Sequence, residues 1–481
     1  MKHPMIIQGG MAVAVSSWQL ARIVSRLGQL GVVSGTALPG IFARRLQLGD
    51  LDGKLRYALQ HFPIPDMARR VLDNYFIPGG KSPSVPLKPS PKPTIKPETP
   101  FAELAVVSSF VEVFLAKDGH NGLVGINLLE KIQIMTLMTL FGAMLAGVDY
   151  VLVGAGIPRA IPGALDHFAK GESAELKMDV EGALPGEVFL STFNPKSFCN
   201  DQTFNLKRPV FLGIVSSATL AMTLARKSNG RVDGFVVEGE TAGGHNAPPR
   251  GQLHLSESGE PVYGPRDVPE IDKIKALGLP FWMAGSYGQP EKLAEALQLG
   301  AVGIQVGTDF AFCKESGLSP ELKQQAIALI RAGEARVFTD PLASSAGYPF
   351  KVLKMKGTLS ENDLYAARSR VCDLGYLRHL YRKSDGTVGY RCPAGPVEDF
   401  VQKGGDIKET VGRKCICNCL PANVGLGQIR PGNKQELALV TSGNNIKQVK
   451  RLFKPGRESY TAEEVIQHLL SGLKNPENST V

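Results

Sequence analysis

The chain lacks the features that would tie it to a membrane, to nucleic acid or to an oxidising compartment. Its longest apolar run, Ile132 to Val148, contains Gln133, Thr136, Thr139 and two glycines and stops at Asp149. A bilayer span needs about 20 predominantly apolar residues, so this run reads as a buried helix and no membrane is expected. Met1-Lys2-His3-Pro4 leads straight into Met5-Ile6-Ile7, which is too short for the apolar core of a signal peptide. Seven cysteines, an odd number, without such a leader argue for reduced thiols and a cytoplasmic setting. Neither a nucleic-acid recognition module nor aromatic residues interleaved with basic ones are present, so no nucleic acid is expected as a partner. The N-terminal strand–helix–strand unit also fails the dinucleotide fingerprint, because its glycines are wrongly spaced.

What is present is enough apolar material for a large core: 481 residues, 43% of them hydrophobic. A single barrel with appended segments is as compatible with that length as two domains are. The formal charge of +9 is unevenly spread: 346–481 holds 21 Lys+Arg against 13 Asp+Glu. That excess suits either an anionic substrate, cofactor or carrier, or a solvated face with no partner.

An α/β rhythm runs along most of the chain. Pro4 to Met11 reads as a strand ending in glycines, followed by a helix capped by Ser16 or Ser17 and ended by Gly28. Further strands are expected at Gly31–Gly35, Leu123–Leu128, Tyr150–Gly156, Pro209–Val215, Phe235–Val237, Pro280–Gly288 and Val302–Thr308. Helices are expected over Phe101–Leu115, Ile132–Ala146, Thr219–Ser228, Pro290–Gly300 and Pro320–Gly333. Val188-Phe189-Leu190 resembles a strand of an excursion. Eight strands separated by helices predict a closed (β/α)8 barrel over 1–335, of the TIM-barrel type. The proline-rich stretch at about 77–100, interleaved with lysines, reads as an extended strap over the surface, with a flexible linker as the alternative.

From about 336 the rhythm is lost. Helices are expected over Asn362–Leu380 and Ala462–Leu470, so 336–481 is a mainly helical extension, expected to pack on the barrel and cover its active-site side. Cys415, Cys417 and Cys419 alternate; read as a strand they would point one way, but structural zinc sites normally place two or more residues between ligands. No metal is expected there. Free thiols are the default, with a thiol near the site's mouth as a lesser option.

The candidate site gathers at the carboxyl ends of the strands, where barrels carry their chemistry. Glu238-Gly239-Glu240-Thr241-Ala242-Gly243-Gly244-His245 follows the sixth strand; its glycines let backbone lie against a flat ligand, and His245 can exchange a proton near neutral pH. The plainer alternative is a glycine turn with a surface histidine. Gly285-Ser286 and Gly307-Thr308, after the seventh and eighth strands, suit a phosphate. Gly9, Gly10 and Met11 at the first strand and Asn127 at the third could face a planar ring. Flavin mononucleotide meets both demands; a sugar phosphate is the competing ligand.

Three segments carry a resemblance: Pro4 to Met11, Gly239 to His245, and Gln305-Val306-Gly307-Thr308-Asp309-Phe310. They resemble the signature segments of the nitronate monooxygenase (2-nitropropane dioxygenase) family, which also holds FMN-dependent enoyl-acyl-carrier-protein reductases. The resemblance implies an FMN-dependent flavoprotein oxidoreductase, with His245 as the active-site histidine. It implies that Asn127 and Gly243 touch the flavin and that Gly285, Gln305, Gly307 and Thr308 hold it at ring and phosphate. The expected reaction is oxidation of alkyl nitronates with dioxygen to carbonyl compounds and nitrite. The alternatives are reduction of an enoyl thioester, carried on a carrier protein or coenzyme A, and a non-catalytic protein that retains flavin. Glu238 stands where many relatives have glutamine; an ionised carboxylate accepts hydrogen bonds but cannot donate one. A homodimer is compatible with the sequence, which does not fix the oligomeric state.

Overall fold

The computed structural model describes residues 3–430, 432 and 434–473. Met1 and Lys2 of the N-terminal reading, and residues 474–481 of the C-terminal extension, lie outside the described residues.

Eight short strands close into a parallel barrel: β1 (Ile6–Gln8), β2 (Leu30–Ser34), β3 (Val124–Leu129), β4 (Tyr150–Gly154), β5 (Val210–Val215), β6 (Gly234–Glu238), β7 (Phe281–Ala284) and β8 (Gly303–Val306). Each pairs with its neighbours in sequence, and β1 closes on β8 through Ile6↔Ile304 and Gln8↔Val306. The pleat sends alternate side chains to opposite faces, which splits the core in two. Ile7, Leu30, Val32, Tyr150, Leu152, Leu212, Val236 and Trp282 fill the barrel interior, and the Trp282 indole N–H donates to the Pro4 carbonyl at 2.8 Å. The larger apolar cluster lies between strands and helices.

Between β2 and β3 the chain leaves the barrel rhythm. Three helices, Leu38–Gln47, Lys54–Gln60 and Pro65–Tyr75, precede the proline-rich strap. The strap is held along its length: Leu87 exchanges two hydrogen bonds with the Gln428 amide, Lys88 N–H donates to Gln47, and Ile95 N–H donates to Tyr390. The helix Thr99–Lys117 comes after it. It, and not Ile132–Val148, is the helix long and apolar enough to cross a membrane, but 83% of its apolar window is buried inside the protein. Gly142 lets the helix Thr136–Leu145 lie against it, since a Cβ there would meet the Val106 carbonyl at 2.1 Å.

Several local expectations shift. The excursion after β4 is an antiparallel hairpin of Ala174–Lys177 with Leu190–Phe193, so the strand starts at Leu190, two residues later than the pattern suggested. The helix expected over Asn362–Leu380 stops at Ala366. Its charged residues are drawn into tertiary bonds: Arg368 to Glu436, Asp373 to Arg430, and Arg370 to the carbonyls of Pro393 and Thr410. Gly375 then takes a left-handed conformation, φ 71°. Beyond it the chain forms a hairpin of His379–Arg382 with Val388–Arg391, turned by Asp385-Gly386. Cys415 to Cys419 lie at and within the helix Ile416–Ala422, so residues two apart diverge where a strand would have aligned them.

The C-terminal residues sit on the barrel's carboxyl face. The strands β9 (Val337–Asp340) and β10 (Phe350–Leu353) form an antiparallel pair. The helix Ala462–Ser471, started by a Thr461/Glu464 capping box, packs against the helices Trp18–Arg26 and Pro290–Gln298.

Candidate active site

The loop after β1 is shaped by one hydroxyl. Ser16 Oγ accepts from Met11 N–H and from the Gln8 amide and donates to the Gly9 carbonyl, each at 2.9 Å. Its donor and both lone pairs are thereby used, and Gly9, Gly10 and Met11 are fixed across the barrel mouth. Gly10 faces Asn127 so closely that a Cβ would come within 2.4 Å of Asn127 Oδ1. Asn127 Nδ2 donates to the Leu152 carbonyl at 3.1 Å, which holds the amide in place. Gln305, on β8, packs beside Gly9, and its Oε1 is buried with no partner.

Across the mouth, the glycine–histidine loop leaves β6 at Glu238 and is clamped by the C-terminal residues. Gly244 N–H donates to Thr441 Oγ1 at 2.9 Å, Lys351 N–H donates to the Gly244 carbonyl at 2.9 Å, and Asn444 N–H donates to the Thr241 carbonyl at 3.0 Å. His245 bridges to Phe350 in antiparallel fashion and lies edge-on to its ring, centroids 4.9 Å apart. His245 Nε2 and Ser344 Oγ share a hydrogen bond of 2.7 Å, leaving Nδ1 as the other ring nitrogen.

After β7 and β8, Gly285 and Ser286 take left-handed conformations, φ 85° and 61°. Gly307 leads into Thr308, whose Oγ1 accepts from Gly443 N–H at 3.0 Å. Asp309, next in the chain, is fully buried and pairs with Arg451 at 2.6 Å; Tyr460 donates to its carbonyl. The C-terminal residues are thus pinned to the loop after the last strand.

A cavity of about 220 Å³ lies between these loops, lined by Gly9, Gly10, Met11, Asn127, Glu238, Gly243, Gly244, His245, Gly285, Ser286, Gln305, Gly307 and Thr308 together. Every site residue that the sequence nominated therefore reaches the same cavity. Sequence reasoning did not name its far wall, Tyr376, Leu377, Ile416, Leu420, Asn423, 440–443 and Asn445, all from the C-terminal part; Cys417, in the same wall, matches the lesser option of a thiol near the mouth. Thr441-Ser442-Gly443-Asn444-Asn445, a run of turn-forming residues, was the signal available for part of that wall.

The electrostatics follow from enclosure. Glu238 and His245 touch the cavity but are surrounded by protein, and loss of water disfavours their charged forms. Glu238 is pushed up to about 7 and His245 down to about 4. At neutral pH the imidazole is uncharged, able to accept a proton. Among the described residues no lysine or arginine lines the cavity, so the basic excess of 346–481 lies elsewhere. Part of it is paired with acids outside that segment, as in Arg451–Asp309, Arg382–Glu187 and Arg391–Glu181. Behind the wall, Cys372, Cys392, Cys415 and Cys417 border a second, very small cavity. All four are free thiols, held protonated by burial first. Among the described residues no three His, Cys, Asp or Glu side chains are grouped to hold a metal ion.

Fold and site define a (β/α)8 barrel whose carboxyl face, roofed by its own C-terminal residues, holds a glycine-walled cavity with one neutral histidine. Residues 167–377 match the family described as nitronate monooxygenase. A probable nitronate monooxygenase of Bacillus subtilis (strain 168) is 33% identical over 123 residues, 25% of this chain. The aligned part spans 32% of that relative's length. Among solved structures, FabK from Thermotoga maritima shares the fold, with TM-score 0.50 and 15% identity over 98% of this chain and 93% of that one. A nitroalkane oxidase from Streptomyces ansochromogenes superposes with TM-score 0.45 and 14% identity, over 98% of this chain and 96% of that one.

Proposed function

We propose that the protein is an FMN-dependent oxidoreductase that oxidises alkyl nitronates with dioxygen to carbonyl compounds and nitrite. The observation that carries this reading is the meeting of the loops after β1, β6, β7 and β8, with Asn127 of β3, around one cavity with His245 in its wall. The residues present fit FMN. Gly9, Gly10, Gly243 and Gly244 bring backbone to the cavity wall, where a flat ring could lie against it, and Gln305 Oε1 is a buried acceptor with no partner among the described residues. Gly285, Ser286, Gly307 and Thr308 would hold the phosphate through backbone N–H groups and a hydroxyl. Bound there, FMN would supply the electron-accepting chemistry.

The chain's own residues then divide the remaining work. His245, neutral and held by Ser344, would take the proton from the carbon acid of a nitroalkane, or, once protonated, stabilise the nitronate anion. Glu238, near half-protonation at neutral pH, would offer the ring a hydroxyl donor in place of an amide. We further propose the division at 335: the barrel holds the cofactor, while 336–473 roofs it and shapes the entrance.

A second reading, reduction of an enoyl thioester, is favoured by one observation. A further cavity of about 490 Å³ shares Ala155, Ile214, Glu238 and His245 with the first, more room than a small nitronate requires. Purified protein should be yellow and release one FMN per chain on heating; colourless protein that takes up no added FMN would sink both readings. Anaerobic mixing with a nitronate, and separately with NADH and NADPH, then divides them. Bleaching by the nitronate supports the monooxygenase, whereas bleaching by reduced nicotinamide and reoxidation by an enoyl thioester would replace it with the reductase.

A further inference from the structure

The larger cavity behind His245 has an unbalanced lining. Its charged residues besides the histidine are Glu238, Glu240, Asp267 and Arg250. Asp267 is already occupied, accepting from the N–H groups of Arg250 and Gly264 at 2.8 Å each, and Arg250 is exposed. Glu238 and Glu240 have no hydrogen-bond or ion-pair partner among the described residues. Asn246, 2% exposed, also borders the cavity; its Nδ2 donates to the Ala242 carbonyl at 3.0 Å, while its Oδ1 has no partner.

Apart from the exposed Arg250 guanidinium, the positive features nearby are committed elsewhere. The helix Ala218–Lys227 begins at this cavity, but Ser217 Oγ caps it by accepting from Leu220 N–H. Lys351 is buried outside the lining, and its Nζ donates to Thr339 Oγ1 at 2.7 Å. Glu240 and Glu260 both lie close enough to act on its charge. The lining also carries hydroxyls and, at its exposed rim, the Arg250 guanidinium, but its partnerless charged groups include the two carboxyls Glu238 and Glu240, and a buried acceptor such as Asn246 Oδ1 left unmet costs about 1–3 kcal/mol.

We infer that this cavity is a subsite for the nitrogen-bearing, hydrogen-bond-donating end of a substrate, an ammonium group above all, whose reacting carbon lies at His245. This extends the oxidoreductase reading and rests on it for the identity of the reacting end. An ammonium would meet Glu240 and Glu238, and Asn246 Oδ1 would take part only once its side chain turned toward the cavity. A carboxylate or phosphate at the same place would face the Glu240 carboxylate and the partly ionised Glu238, so the cavity discriminates by charge as well as by size.

The test uses the purified holoprotein and three probes of equal length: n-pentylammonium, pentanoate and pentanol. Affinity is read by calorimetry, and folding of each variant by its melting curve. A charge-assisted hydrogen bond predicts pentylammonium binding about tenfold or more tighter than pentanoate, with pentanol between them. Glu240→Gln should erase most of that preference. Thr223→Lys, on the same cavity wall, should also erase it by placing a cation of the chain's own there, with flavin content unchanged in both variants. Equal affinities, tighter pentanoate, no binding of any probe, or a preference that survives both substitutions would overturn the subsite. An ammonium preference in protein that holds no flavin and turns nothing over would uphold the subsite and overturn the oxidoreductase reading alone.

Discussion

Replacing Arg451 by methionine removes the guanidinium that faces Asp309 while keeping much of the stem. Asp309 is fully buried, Arg451 meets its Oδ2 at 2.6 Å, and its Oδ1 has no partner even in the intact protein. Breaking a buried pair by removing one member costs about 3–5 kcal/mol. At about 2.1 cal/mol/K per residue, a cooperative unit of this length unfolds with about 1 kcal/mol/K of entropy, so the global melting point should fall by only about 3–5 °C. Local opening is the sharper readout. If the cost falls on the C-terminal residues alone, cleavage near 441–460 should rise about 100-fold or more. The pH dependence fixes the cause. Burial pushes the Asp309 carboxyl up to about 6 despite Arg451, and losing the arginine raises it further. For an acid whose folded pKa is raised, stability is greatest below the unfolded pKa and falls as pH rises toward the folded one. The deficit of Arg451→Met against the parent should therefore be small at pH 5 and large at pH 8. A deficit equal at both pH values, or none at all, would refute the buried-charge argument.

Other substitutions probe the site directly. His245→Ala should retain FMN and lose most turnover of a neutral nitroalkane, but less turnover of the preformed nitronate, since only the nitroalkane needs proton abstraction; equal activity of variant and parent on both substrates would remove His245 from catalysis. Burial lowers the His245 pKa from 6.5 to about 4, so its protonation is penalised as pH falls through that window. His245→Gln should accordingly flatten the parent's loss of stability between pH 6.5 and 4 in urea titrations, and an unchanged profile would contradict the assignment. Gly10→Ala forces Asn127 aside, at about 1–3 kcal/mol for overpacking, and should lower the flavin-to-protein ratio after gel filtration; full occupancy with an unshifted melting curve would contradict that.

The barrel was legible because its signals are local. Each strand is a short apolar run ended by glycine or a polar residue, and helices such as Pro320–Ala332 carry their own cap, Ser319, and stop, Gly333 at φ 75°. The nominated site residues were legible for the same reason, since a barrel sends all its strand ends to one face. The roof was not. Thr441 and Gly443 reach Gly244 and Thr308 through contacts spanning more than a hundred residues, and no periodicity records such pairings. The missed hairpin at 379–391 and the shortened helix at 362–366 share that cause, because charges that look like a solvated helix face are spent on distant partners.

The clamp on the glycine–histidine loop also sets an order of events during synthesis. All eight strands have left the ribosome before Thr441, Gly443 and Asn444 are made. A nascent barrel therefore has an uncapped mouth, in which Gly244 N–H and the Thr241 carbonyl meet water instead of the roof. A flat cofactor of the kind proposed would have free access during that interval, and the last segment would then fold over it, held by Arg451 on Asp309. Loading followed by sealing would make retention of such a cofactor a kinetic property, governed by how often the roof lifts.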